Sequence, residues 1–240
     1  MSSARRRPPR NIGLRRLVEA KRTGTAPLDA KLQRRGFLGW HERGYLPHFD
    51  APHVTQFVTF MLADSFPVAR RCEWEPILNE PMESLRRRKL EEWLDRGHGE
   101  CWLRQPRIAR LVEEALRLHD GAEYRLQAWV VMPNHVHLVV DVGDCPLSHL
   151  IRKWKGATAR AANLALDRSG AFWEVDYFDT LIRDAKHLAN AIRYVERNPV
   201  KAKLVRDPRA WPWSSSRLRD EYNRLPWQRG RGDEGPNSGR

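Results

Sequence analysis

His135 and His137 are the residues of this chain best placed to do chemistry. They sit two apart in Met132-Pro133-Asn134-His135-Val136-His137-Leu138-Val139-Val140, where Val136, Leu138, Val140 and Val142 form an apolar row of period two. That period is the signature of a β-strand. Side chains two apart on a strand share a face. If Val136 and Leu138 face a core, both imidazoles stand together on the opposite face. Imidazole is the commonest metal-ligating side chain, so such a pair can grip one cation. The plainer alternative is a histidine pair on an open sheet face.

Sixty residues on, the stretch 185–197 has Leu188, Ile192 and Val195 on one helical stripe. At 100° per residue, Tyr194 falls off that stripe. Asn198 lies one turn further along the same side as Tyr194. A tyrosine there needs a partner or water for its hydroxyl. Asn198 precedes Pro199, a position biased away from helix, so its geometry is expected to belong to the helix end.

Together these two blocks resemble the single-tyrosine HUH transposases, and within them the REP-associated tyrosine transposases of bacteria. The name HUH stands for His, a bulky hydrophobic residue, His, here His135, Val136 and His137. The downstream Tyr-x-x-x-Asn-Pro pattern is matched from Tyr194 to Pro199, and Leu181-Ile182-Arg183-Asp184 and Trp211-Pro212-Trp213-Ser214-Ser215 fit the same style. The resemblance spans roughly residues 40–218. It implies a metal-dependent endonuclease that cuts and rejoins single-stranded DNA at hairpins. Tyr194 is then the nucleophile, His135 and His137 hold the metal, and Asn198 takes the place of a third ligand. Two imidazoles with oxygen ligands suit Mn²⁺, or Mg²⁺ with bound waters. No nucleotide cofactor is expected, since no Gly-x-x-x-x-Gly-Lys-Ser/Thr loop occurs. The resemblance favours a monomer, though a dimer stays open.

Composition points the same way. There are 43 Lys and Arg against 30 Asp and Glu, a net charge of +13. Such a field attracts polyanions, nucleic acid above all. A non-catalytic nucleic-acid-binding protein satisfies that charge equally well; a metal-dependent hydrolase of small substrates fits it less well. The helix expected from Pro146 to Leu166 carries Arg152, Lys153, Lys155 and Arg160 on its polar side, which either borders a phosphate path or is a solvated face. Arg183 and Lys201, inside the resembling blocks, join these four as DNA-contacting candidates. Three widely spaced cysteines, with no Cys-x-x-Cys, argue for a reducing cytoplasm. The basic N-terminus has no apolar run behind it, so no secretory signal is read.

The elements expected to position these groups are a strand at 54–62, helices at 79–96 and 106–119, a hairpin of strands 123–132 and 135–142, the helix 146–166, a strand at 172–183 and the helix 185–197. That order suggests an α+β, ferredoxin-like antiparallel sheet of βαββαβ type with helices on one face. A helical insertion occupies about 70–120. Residues 1–35, with eleven Arg or Lys, read as a flexible basic arm, 36–218 as the HUH transposase/nuclease domain, and 219–240 as a disordered tail.

Overall fold

The computed structural model describes residues 28–42, 47–221 and 223–226. Most of the basic arm and of the tail lies outside the described residues. After a short helix α1 (Ala30–Arg34), capped by the Asp29 carboxylate on the Leu32 amide, strands β1 (Gly39–Glu42) and β2 (Pro47–Asp50) form a two-stranded antiparallel ribbon. The main sheet has four strands: β3 (Thr55–Met61), β4 (Tyr124–Val131), β5 (His135–Val142) and β6 (Phe178–Leu181). Their order is β4-β5-β3-β6, and every neighbouring pair is antiparallel. This is the strand order of the βαββαβ plan.

Between β3 and β4 run helices α2 (Arg71–Leu78), α3 (Glu83–Asp95) and α4 (Pro106–Arg117); α5 (Leu147–Ala165) joins β5 to β6, and α6 (Ala185–Lys201) follows β6. No helix among the described residues is long and apolar enough to cross a membrane.

The two crossover helices share a face of the sheet. Ile108, Val112 and Leu116 of α4 and Leu147, Leu150 and Trp154 of α5 pack with Val136, Leu138 and Val140. The histidine face is covered as well, by other helices. Ala191 and Val195 of α6 meet Phe57, Val130 and Val139 there, while Leu90, Trp93 and Leu94 of α3 meet Met61 and Phe178. So β5 is a doubly buried strand, and the histidines stand in a sandwiched layer, not on an open face.

Two local features depart from the sequence pattern. Period two along 124–132 places Tyr124, Leu126, Ala128, Val130 and Met132 on one face. A bulge between Leu126 and Ala128 changes sides instead: Tyr124 and Leu126 join the α4/α5 core, Ala128, Val130 and Met132 the α6 side. One extra residue reverses every later side chain. The last strand is also shorter than expected. Lys155 donates to the carbonyls of Glu174, Val175 and Asp176 at 2.9, 3.3 and 2.8 Å, and Asp176 contacts His48, so this stretch leaves the ladder.

The C-terminal segment packs tightly. Val131 N–H donates to the Trp213 carbonyl at 2.8 Å and Trp211 Nε1 to the Val131 carbonyl at 3.0 Å, which covers the exposed edge of β4. The packed body also runs past residue 218, where the sequence suggests a tail. Arg219 pairs with Glu196 at 2.6 Å, and Leu225 is fully buried in the core.

Candidate active site

The pleat of β5 turns both histidines toward α6. Thr59 faces His137 across the β3–β5 ladder, and its hydroxyl shares a 2.7 Å hydrogen bond with His137 Nδ1. His135 Nδ1 lies 2.7 Å from Asn134 Oδ1. The Asn134 amide is oriented by donating its Nδ2 to the His98 carbonyl at 3.2 Å. An acceptor at Nδ1 fixes the tautomer and leaves the Nε2 lone pair free. Both Nε2 atoms are buried and without a hydrogen-bond partner. The two rings are 4.5 Å apart between centroids.

Helix α6 brings the rest. It begins at Asp184, whose carboxylate accepts from the His187 amide at 2.7 Å, and it continues through Pro199 to Lys201. The expected break at Asn198 does not occur. Proline removes one donor, yet the turn that holds it is buried and closed by Ala202 N–H on the Asn198 carbonyl at 2.9 Å. Tyr194 and Asn198 therefore share one surface, and Asn198 Nδ2 donates to the Tyr194 hydroxyl at 3.1 Å. The Tyr194 ring stands edge-on to His137 with centroids 5.5 Å apart. Asn198 Oδ1 is the third buried atom here without a partner.

Burying an unpaired polar atom costs free energy. Three such atoms around one phenol, two imidazole nitrogens and an amide oxygen, are the donor set a divalent cation satisfies. Among the described residues no three His, Cys, Asp or Glu side chains group as a metal cluster, because the third group here is an amide. Burial lowers the His135 pKa to about 3, with Lys201 adding to the effect. Burial, then the neighbouring His135, Arg87 and Lys201, also holds His137 well below its usual value. Both rings are thus neutral at pH 7 and able to ligate.

The sequence analysis did not link α3 to this site. Arg87 lies 4.3 Å over the Phe57 ring and 5.9 Å from the Tyr194 ring, and pairs with Glu91 at 3.0 Å. Lys201 lies 5.5 Å from the centre of the phenol ring and pairs with Asp95 at 3.0 Å. Burial, then the charges of Glu91 and Asp95, hold the Tyr194 phenol far above its usual range. The sequence offers only a basic block, Arg86 to Lys89, followed by Glu91 and Glu92, which says nothing of where the helix docks.

The basic residues divide. Lys201 stands at the phenol, and Arg183 is exposed just before α6. Arg152, Lys153, Lys155 and Arg160 ride on α5, across the sheet from Tyr194. Lys153 is paired with Glu123 at 2.7 Å, and Lys155 is engaged by the 174–176 carbonyls. Lys186, Arg193 and Arg197 are also exposed on α6, seven and four residues apart.

Residues 102–198 match the family model described as transposase, IS200 like. The REP-associated tyrosine transposase of Escherichia coli (strain K12) is 29% identical over 102 residues, which cover 42% of this chain and 59% of that one. A relative from Haemophilus influenzae (strain ATCC 51907 / DSM 11121 / KW20 / Rd) is 29% identical over 96 residues, 35% of this chain and 54% of that one. The chain thus spans little more than half the length of these relatives. Among solved structures, a REP-associated tyrosine transposase bound to a REP hairpin aligns at TM-score 0.48 and 19% identity, covering 73% of this chain and 81% of that one. The family resemblance read from the two motif blocks is borne out.

Proposed function

We propose that this protein is an IS200-like tyrosine transposase that cleaves and rejoins single-stranded DNA at hairpins through a covalent bond to Tyr194. The observation that carries this reading is that His135 Nε2, His137 Nε2 and Asn198 Oδ1 are each buried and unpartnered, while Asn198 donates to the Tyr194 hydroxyl and the Tyr194 ring stands edge-on to His137.

His135, His137 and Asn198 hold a Mn²⁺ or Mg²⁺ ion, which when bound polarises the scissile phosphate and stabilises charge on its oxygens. Thr59 and Asn134 keep the two imidazoles in the ligating tautomer. The Asn198 amide, by donating to the phenol oxygen, fixes where that oxygen points. Tyr194 Oη then forms a bond to phosphorus while the bond from phosphorus to the 3′ oxygen breaks. The phenol gives up its proton, and the departing 3′ oxygen gains one. The product is a 5′-phosphotyrosine and a free 3′-hydroxyl. The ester keeps the energy of the broken bond, so a 3′-hydroxyl can attack it and restore the strand without a nucleotide cofactor.

Hairpin DNA is the substrate this reading implies, and a bacterial cytoplasm, near the nucleoid, is its compartment. One chain supplies every group named, which favours a monomer. The deciding experiment incubates the protein with a 3′-labelled single-stranded hairpin and Mn²⁺ or Mg²⁺. A protein–DNA adduct that survives denaturation and vanishes in Tyr194→Phe supports transesterification. Tight binding with no adduct overturns it in favour of a DNA-binding protein, and turnover of small substrates indifferent to Tyr194→Phe in favour of a hydrolase.

A further inference from the structure

We propose that Lys201 is the residue that seats the scissile phosphate beside Tyr194, and that Asp95 of α3 holds its place until DNA displaces it. The proposal rests on the reading of Tyr194 as the nucleophile.

Lys201 is the last residue of α6, seven after Tyr194 and so on the same side of the helix. Its ammonium lies 5.5 Å from the phenol ring, and its side chain is 45% exposed, open to a ligand from solvent. A phosphodiester whose phosphorus is to be attacked by Tyr194 Oη must bring its non-bridging oxygens to this neighbourhood. An ammonium there supplies what a phosphate needs, a positive charge with three rotatable donors.

In this structure that charge is met by a carboxylate. Lys201 Nζ is 3.0 Å from Asp95 Oδ2, while the other carboxylate oxygen is buried with no hydrogen-bond partner. Burial raises the Asp95 pKa, although Lys201 opposes that shift. A group used only as a strut would satisfy both oxygens. Asp95 instead presents one oxygen to the cation and leaves the other unpaired, and Lys201, the half-exposed end of the pair, is open to exchange its partner for a ligand from solvent. Asp95 thus occupies a phosphate's place by neutralising Lys201. Arriving DNA takes the ammonium and expels the carboxylate, and with it the end of α3. The nucleophile is exposed only when a substrate is present to receive it.

The test uses the full chain and a 3′-fluorescent single-stranded hairpin oligonucleotide. Binding is read by anisotropy against salt without divalent metal, and adduct formation with Mn²⁺. Asp95→Asn is expected to bind about threefold or more tighter, and Lys201→Ala to lower the salt slope by about 1, the loss of a single phosphate contact. The double variant should bind no tighter than Lys201→Ala alone. Adduct formation at saturating DNA should fall at least about tenfold in Lys201→Ala and recover in Lys201→Arg, as for a lost donor to developing charge. Three outcomes overturn the proposal: Asp95→Asn binding no tighter than the parent, the double variant keeping the full gain, or Lys201→Ala cutting at the parent rate. If the parent forms no adduct while Tyr194→Phe binds DNA equally well, the nuclease reading falls, and the binding measurements still decide whether Lys201 takes a phosphate from Asp95.

Discussion

Asn198 donates to Tyr194 from one helical turn away, at 3.1 Å, and leaves its own side-chain oxygen buried without a hydrogen-bond partner. On the proposed reading one amide has two tasks: it aims the phenol and supplies an oxygen to the cation. Asn198→Asp keeps the oxygen and adds charge, so Mn²⁺ should bind more tightly; Asn198→Leu removes both functions, and Mn²⁺ affinity should fall. Isothermal titration of each variant with Mn²⁺ checks this without DNA, and equal affinities across the set would refute the assignment of Asn198.

The two imidazoles are expected to be indispensable for cutting and nearly irrelevant for holding DNA. His135→Ala and His137→Ala should abolish adduct formation while hairpin affinity stays within about threefold, because phosphate contacts dominate affinity. Thr59→Val takes only the partner of His137 Nδ1, and should cost about 10- to 100-fold in metal affinity or activity. A Thr59→Val protein as active as the parent would show that the ring needs no orienting bond.

Cation binding should also appear as stability. Since the donor atoms are buried and unpaired without a cation, Mn²⁺ at about 100 times its Kd should add about 2.7 kcal/mol. The measurement is thermal unfolding with and without Mn²⁺. In His137→Ala the increment should largely vanish; a persistent increment would place the cation elsewhere.

A different histidine governs the alkaline limit of the fold. His48, fully buried on β2, contacts Asp176 at 3.0 Å through Nε2 and Asp179 through Nδ1. Burial alone would lower its pKa, but the carboxylates of Asp179 and Asp176 outweigh that and push it up to about 10. A raised folded-state pKa favours the folded state at low pH: the contribution is complete below about 6.5 and disappears as pH rises through about 10. Urea unfolding should show stability declining across that window, and His48→Gln should flatten the decline. Breaking such a buried pair costs about 3–5 kcal/mol, so Asp179→Ala, on β6, should be among the most damaging changes where the ribbon meets the main sheet.

Much of the site could be read before any coordinates. The alternation around His135 and His137 located a strand and put both rings on one face, and helical periodicity put Tyr194 beside Asn198. These signals are local and periodic, so they survive folding unchanged. What escaped notice was set by tertiary contact. Pro199 biases its predecessor away from helix, but burial of Asn198 and Pro199 outweighs that preference. Gln127 carries no mark of a bulge, yet the bulge decides which core Val130 joins. The basic row on α5 read equally as a phosphate path or a solvated face; Lys153 and Lys155 have partners within the protein and the whole helix lies on the far side of the sheet from Tyr194. Nothing in the spacing of Arg87, Glu91 and Asp95 says that α3 docks over the histidines, because docking depends on Leu90, Trp93 and Leu94 meeting Met61 and Phe178.

Helix α6 is pinned from behind. Glu196, nearly buried, accepts from Ser215 and from Arg219, both at 2.6 Å, so the C-terminal segment clamps the helix that bears the phenol. In this arrangement the phenol stands against the His137 ring of its own polypeptide, with ring centroids 5.5 Å apart, so the proposed reaction asks for no group from a second molecule. Strand scission per molecule should then be indifferent to dilution.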